Sequence, residues 1–220
     1  MNNSPTNISK IYEILSRIYP TFNDGQSDWE DGGLSASPFH SLISVCLSTM
    51  TKTSRVVEAG SKLYRRANNF YELLALPDDE LREMIKSVAH YNRKTIHLKE
   101  MARQIIDNYH GKVPASRDEL MKLKGVGRKV VDIMMNFVFS EDSIAVDTHV
   151  LRVLNRLEIV KTKSAEKAAD LINEITPKKY KKHAHEWLIQ HGMNICKAIK
   201  PKCNICDLRS LCNNKRTCNL

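Results

Sequence analysis

Apolar side chains recur along most of this chain at the three- and four-residue spacing of one helix face. Ile8, Ile11, Tyr12, Ile14, Leu15 and Ile18 set the pattern and predict a helix over 8–18. Residues Asn23–Ser37 interrupt it with acidic side chains and the turn pairs Asp24-Gly25 and Gly32-Gly33, so this insert reads as a loop. Pro38 opens an apolar helix that runs through Leu47. Shorter helical pieces follow over Glu58–Ala67 and Tyr71–Leu76, and Pro77 begins another that carries Leu81, Met84, Ile85 and Val88. Arg93–Tyr109 reads as a long amphipathic helix stopped by His110-Gly111. Ser116 and Glu119 have capping-box spacing and predict a helix through Leu123. Helices over Lys129–Phe139, Thr148–Leu157, Ser164–Ile175 and His183–Cys196 complete the set. Strand-like alternation is nearly absent, so the expected fold is all-α.

Composition narrows the partners. A chain of 220 residues can form one large domain or two small ones, and its formal charge of +9 favours a polyanion. The charge is uneven: Lys178–Leu220 holds ten Lys or Arg against two acids, while Met1–His40 holds two against five. The basic C-terminal part is therefore a candidate phosphate-facing surface. The polar start MNNSPTNISK has no apolar core of a signal peptide, and no run has the length of a membrane span. A cytosolic location is expected, or a nuclear one in a eukaryote. In such a compartment, six cysteines point to metal ligation rather than disulfides.

The densest chemistry lies in Leu123–His149. Leu123-Lys-Gly125-Val-Gly127-Arg128-Lys129 joins two helical patterns through a glycine turn. Gly125 and Gly127 permit positive φ and close backbone approach. Free N–H groups at the start of the second helix attract phosphate, which holds a nucleic-acid backbone without reading its sequence. An ordinary tight turn between helices would use the same glycines, and a lysine there need only touch phosphate. Lys129 is also a candidate nucleophile. An exposed lysine has a pKa of about 10.4, so this role requires burial or nearby positive charge, and Arg128 and the helix dipole supply the latter. Asp147 fits the N-cap of the next helix, which by itself explains the residue. Capping bonds would also orient its carboxylate, and the two roles are compatible.

Cys196, Cys203, Cys206 and Cys212 form C-x6-C-x2-C-x5-C. Four thiolates so spaced can hold a tetrahedral zinc or a [4Fe-4S] cluster, zinc being the commoner. Lys197, Lys200 and Lys202, between the first two cysteines, can present charge to phosphate. Cys46 lies in an apolar run and reads as core. Cys218 falls outside the spacing and reads as a free thiol near the chain end.

LKGVGRK, IAVDTHVLRVLNR, the cysteine spacing and His185-Glu-Trp-Leu-Ile-Gln-His-Gly192 together resemble endonuclease III, a helix-hairpin-helix, Gly/Pro…Asp DNA glycosylase and abasic-site lyase family. The resemblance runs from about Ile8 to Leu211. It implies two helical domains with a DNA-binding cleft between them: a barrel with the hairpin at 30–141, and a cluster domain of 1–29 plus 142–220. It implies a monomer acting on double-stranded DNA with damaged bases or abasic sites. Lys129 matches the family's nucleophile and Asp147 its catalytic aspartate. The four cysteines match its [4Fe-4S] ligands, which moves the metal expectation from zinc to iron–sulfur. Gly125, Gly127, Arg128, Lys197, Lys200 and Lys202 are the expected DNA contacts.

Two positions depart from the family. Met50 stands where a glutamine often fills the gap left by the flipped base, and His90 where an apolar wedge is usual. Methionine inserts apolar surface but does not pair with the orphaned base. Both departures bear on which lesion and which opposite base are preferred. Oxidised pyrimidines are the expected substrates. The alternatives are mismatched, alkylated or dimerised bases on the same scaffold, or a non-enzymatic iron–sulfur DNA-binding protein.

Overall fold

The computed structural model describes residues 5–19, 21, 33–212 and 214. Every regular element among them is helical: α1 (Pro5–Ile18), α2 (Pro38–Ser48), α3 (Thr53–Leu63), α4 (Phe70–Ala75), α5 (Asp78–Met84), α6 (Tyr91–Tyr109), α7 (Arg117–Lys122), α8 (Arg128–Phe137), α9 (Thr148–Arg156), α10 (Ala165–Ile175) and α11 (Lys178–Asn194). Two 3₁₀ turns follow, Cys203–Ile205 and Arg209–Leu211. No helix among the described residues is long and apolar enough to cross a membrane.

The chain divides into two compact units, with breaks between Asp24 and Gly25 and between Phe139 and Ser140. One contains α2–α8. Its core draws Leu42, Leu47, Leu63, Phe70, Ile105 and Met134 from successive helices, each at most 1 % exposed. The other contains α1 and α9–α11 around Ile11, Leu15, Leu154, Ile172 and Leu188. There Tyr12 hydroxyl lies 3.1 Å from Thr176 Oγ1, and Tyr180 hydroxyl donates to Glu13 Oε1 at 3.1 Å, so α1 is tied to the end of α10 and to α11.

Several helix ends differ from the periodicity. The helix expected over 58–67 spans Thr53–Leu63, because its buried face begins at Val56 and its last buried residue is Leu63. That expected over 183–196 begins at Lys178, since Pro177 enters the helix with φ −58° and Tyr180 is buried in the first turn. Helix α6 starts at Tyr91 rather than Arg93. Ser116 has the extended backbone of an N-cap but makes no side-chain cap bond, so the expected capping box is not formed; Asp118 and Glu119 face the dipole in the first turn instead. At the other end of α6, His110 and Gly111 are both left-handed (φ 52° and 77°), and the Gly111 N–H reaches Ile105 O at 3.1 Å. Of the insert 23–37, the described part is a turn from Gly33 into the α2 cap at Ser37. The rest of it, and Cys218, lie outside the described residues.

Candidate functional site

Helices α7 and α8 form the hairpin. Val126, 7 % exposed, anchors the connecting turn in the core, and its N–H bonds Leu123 O at 3.2 Å. Gly125 is left-handed (φ 79°), and a Cβ there would stand 3.0 Å from His97 Cβ, so conformation and space both demand glycine. Gly127 differs from expectation: its φ is −110°, which any residue adopts. What it provides is room, because a Cβ there would meet nothing within 4 Å and no side chain caps the helix. The start of α8 thus has no side-chain cap and space beside its N-cap, a setting that suits an anion.

Lys129 is the second residue of α8 and is half-buried. Beside it Arg128 is not a loose surface cation. Its Nε donates to Asp132 Oδ2 at 3.0 Å and Oδ1 at 3.2 Å, while Arg117 Nη1 donates to Oδ1 at 2.5 Å. Asp132 is wholly buried, and two guanidinium groups balance its charge. No motif marks this carboxylate in the sequence; its one local signal is the i,i+4 Arg128–Asp132 spacing.

Asp147 stands in the other unit, at the start of α9. Its Oδ1 accepts the N–H of His149 at 2.8 Å and of Val150 at 2.9 Å, as a cap should. The extended strip before it is pinned from both sides. Asn173 Oδ1 accepts the Ile144 N–H at 2.8 Å, its Nδ2 donates to Ile144 O at 3.0 Å, and His185 Nδ1 lies 2.9 Å from Ala145 O. Gly192 of α11 packs against His149, where a Cβ would come within 3.0 Å of its side chain and 3.1 Å of its carbonyl. Asn173 has no signature in the linear sequence, and His185 is marked there only as part of the family-like segment His185–Gly192.

Met50, within the connection from α2 to α3, and His90, just before α6, are both in the left-handed region (φ 57° and 56°), and both are exposed, Met50 by 81 %. The two connections meet where the Ala89 N–H donates to Thr51 Oγ1 at 3.1 Å.

The four cysteines line one cavity with Val153, Leu157 and Leu208, and none is in a disulfide. Among the described residues, no three His, Cys, Asp or Glu side chains converge as around a single metal ion. The donor set suits a thiolate-ligated group: four thiols, apolar walls and cationic neighbours. Arg156 Nη1 lies 3.4 Å from Cys196 Sγ and donates to Lys197 O at 2.7 Å, and Arg152 Nε donates to Cys196 O at 2.9 Å. Burial pushes the Cys206 thiol up to about 11, a cost that a bound metal reverses by taking the thiolate. Lys197, Lys200 and Lys202 are exposed on the loop that these arginines hold.

The family model for HhH-GPD superfamily base excision DNA repair protein matches residues 43–178. Endonuclease III of Haemophilus influenzae is 37 % identical over 209 residues, covering 95 % of this chain and 97 % of the relative. That of Escherichia coli is 35 % identical over 214 residues, with the same coverage. A non-covalent endonuclease III–DNA complex superposes with a TM-score of 0.87 at 31 % identity, covering 97 % of each chain. A trapped endonuclease III–DNA covalent intermediate, its estranged-adenine complex, gives 0.88 at 31 % identity with the same coverage. A thermostable thymine-DNA glycosylase at 23 % identity and a TM-score of 0.84 shares the fold. By the match of family model, near-full-length relatives and helical architecture, the chain belongs to the endonuclease III family of the HhH-GPD superfamily.

Proposed function

We propose that this DNA N-glycosylase and abasic-site lyase of base excision repair removes oxidised pyrimidines from double-stranded DNA, with Lys129 as nucleophile and Asp147 as its carboxylate partner. The damaged nucleotide leaves the base stack to reach them. Asp147 takes a proton from the Lys129 ammonium, and the freed Nζ attacks C1′. The C1′–N bond breaks and its electron pair leaves with the base, which is protonated. The sugar ring opens to a Schiff base on Lys129. Loss of a C2′ proton then expels the 3′ phosphate by β-elimination, and water releases the enzyme.

The observation that carries this reading is the glycine turn itself: Gly125 in the left-handed region and a helix start at Gly127 with no side-chain cap and open space beside it, with Lys129 as the second residue of α8. Phosphate held on the first N–H groups of α8 brings the sugar backbone to the amine. The one-sided cap on Asp147 supports its role by fixing the carboxylate through Oδ1 alone. The relative caught as a covalent intermediate with DNA supports a covalent route here.

Cys196, Cys203, Cys206 and Cys212 would hold a [4Fe-4S] cluster. Bound there, it supplies a structural cross-link that shapes the loop of Lys197, Lys200 and Lys202 for phosphate contact. Gly125, Gly127 and Arg128 contact the backbone, and Met50 and His90 enter the duplex at the flipped base. The protein acts as a monomer.

A panel of duplexes carrying oxidised, mismatched, alkylated or dimerised bases tests the substrate class. Preferred excision of oxidised pyrimidines is expected. Preferred excision of another class would favour the second reading, a different specificity on this scaffold, to which the residues at Met50 and His90 point.

A further inference from the structure

The first turn of α6 contains a buried lysine that the chemistry above does not use. Lys94 is 9 % exposed, yet its ammonium is fully engaged. Nζ donates to Leu47 O at 2.6 Å and to Thr49 O at 2.8 Å, the open carbonyls at the end of α2, and lies 3.3 Å from Thr51 Oγ1. A cation suits that negative end of the helix. Thr51 then continues the connection. Its hydroxyl donates to Thr49 O at 3.2 Å and accepts the Ala89 N–H at 3.1 Å. Lys94 itself closes the other side, because its backbone N–H bonds His90 O at 3.0 Å.

Met50 therefore sits between two residues, Thr49 and Thr51, held by one ammonium. His90 sits between Ala89, held by Thr51, and the helix that carries Lys94. Each is a non-glycine residue in the left-handed region, a conformation that persists only where its surroundings fix it. Met50 is 81 % exposed, so no packing of its own side chain does so. Ser87 Oγ adds a tie at 2.9 Å from the His90 connection to Arg55 O in the first turn of α3.

We propose that Lys94, acting with Thr51, is a positioning residue that locks the Met50 and His90 connections into one rigid double wedge, and thereby sets how strictly the enzyme discriminates the base opposite the lesion. This rests on the reading of Met50 and His90 as the duplex-entering residues. A wedge whose halves move independently still enters an opened duplex but accommodates any orphaned base. A locked one presents a fixed gap, and bases that fill it badly are disfavoured. Burial lowers the affinity of Lys94 for its proton, and the three oxygens around it favour retaining that proton.

The test compares wild type, Lys94→Met, Lys94→Arg and Thr51→Val on abasic duplexes with each of the four opposite bases. Single-turnover cleavage is measured, with 2-aminopurine opposite the site reporting unstacking of the orphaned base. Thr51→Val cuts the link to Ala89 without leaving a cavity and remains informative if Lys94→Met does not fold. The expected result is that the spread of rates across opposite bases shrinks on the order of tenfold in Lys94→Met and Thr51→Val, while Lys94→Arg restores part of it, and the 2-aminopurine signal becomes less dependent on context. Folded variants that keep the wild-type spread and the wild-type fluorescence would overturn the proposal. A uniform loss across all four opposite bases would also overturn it, since that is what a merely structural lysine would produce. Borohydride trapping of the wild type on an abasic duplex separates the two levels. Without an adduct the lyase reading fails; with an adduct and an unchanged spread, only the lock fails.

Discussion

Asp147 and Val150 are joined by a 2.9 Å bond that ends on Oδ1, the same oxygen that receives the His149 N–H. Oδ1 caps α9, and the proposed chemistry would draw on Oδ2. Asn at this position keeps the capping oxygen and loses the charge. Asp147→Asn should therefore retain stability to within about 0.5 kcal/mol, whereas Asp147→Ala should lose about 1 kcal/mol through the cap. Both should reduce single-turnover base excision by a factor on the order of 100 to 1000. Urea denaturation beside excision kinetics checks this. Equal destabilisation in the two variants would show that cap and charge are not separable.

The two glycines of the hairpin should behave differently. Gly125→Ala meets a positive φ and the His97 side chain, and should cost about 1–2 kcal/mol of stability. Gly127→Ala meets neither, so it should fold with a small change and instead weaken binding to an undamaged duplex by shielding the α8 N–H groups. Thermal denaturation and fluorescence anisotropy at fixed ionic strength separate these outcomes. A stability loss in Gly127→Ala matching that of Gly125→Ala would contradict the geometry.

Asp132 should be important to the hairpin although it never touches DNA in this account. Removing its charge in Asp132→Asn leaves Arg117 and Arg128 facing a neutral amide, at a cost of roughly 1–3 kcal/mol given that both guanidinium groups are partly exposed. Urea unfolding measures it. A loss under about 0.5 kcal/mol would mean that the two arginines are solvated rather than pinned.

Lys94 carries a pH signature. Burial lowers it from 10.5 to about 8, and Arg93 adds to that shift. The folded chain therefore releases this proton before the unfolded chain does. Between about pH 8 and pH 10.5 the unfolded state binds more protons, so the contribution of this site to stability rises with pH and is lost as pH falls through 8. The wild type should gain stability relative to Lys94→Met as the pH is raised from 7 to 10 (values on the order set by that window). A constant difference across the range would contradict the buried charge.

Much of this arrangement is legible in the linear sequence. Periodic apolar residues mark helices such as α1 and α10 because each buries one face. Asp147 was readable as a cap because a cap is local. The residues that hold the site were not readable for the opposite reason. Lys94 reaches back 47 positions to Leu47, Asn173 reaches 29 to Ile144 and His185 reaches 40 to Ala145. Each bonds a backbone group, which carries no side-chain identity to match against. The ends of α3 and α11 shifted because tertiary burial at Val56 and Tyr180, not local propensity, decides where those helices begin.

In the proposed reaction Lys129 forms the covalent bond to DNA. Wild-type protein and Lys129→Ala are each mixed with an oligonucleotide duplex containing an abasic site in the presence of borohydride, which reduces a Schiff base to a stable amine. A protein–DNA adduct is expected for the wild type and none for Lys129→Ala, with strand cleavage lost in parallel. An adduct that persists undiminished in Lys129→Ala, or its absence from active wild type, would contradict it.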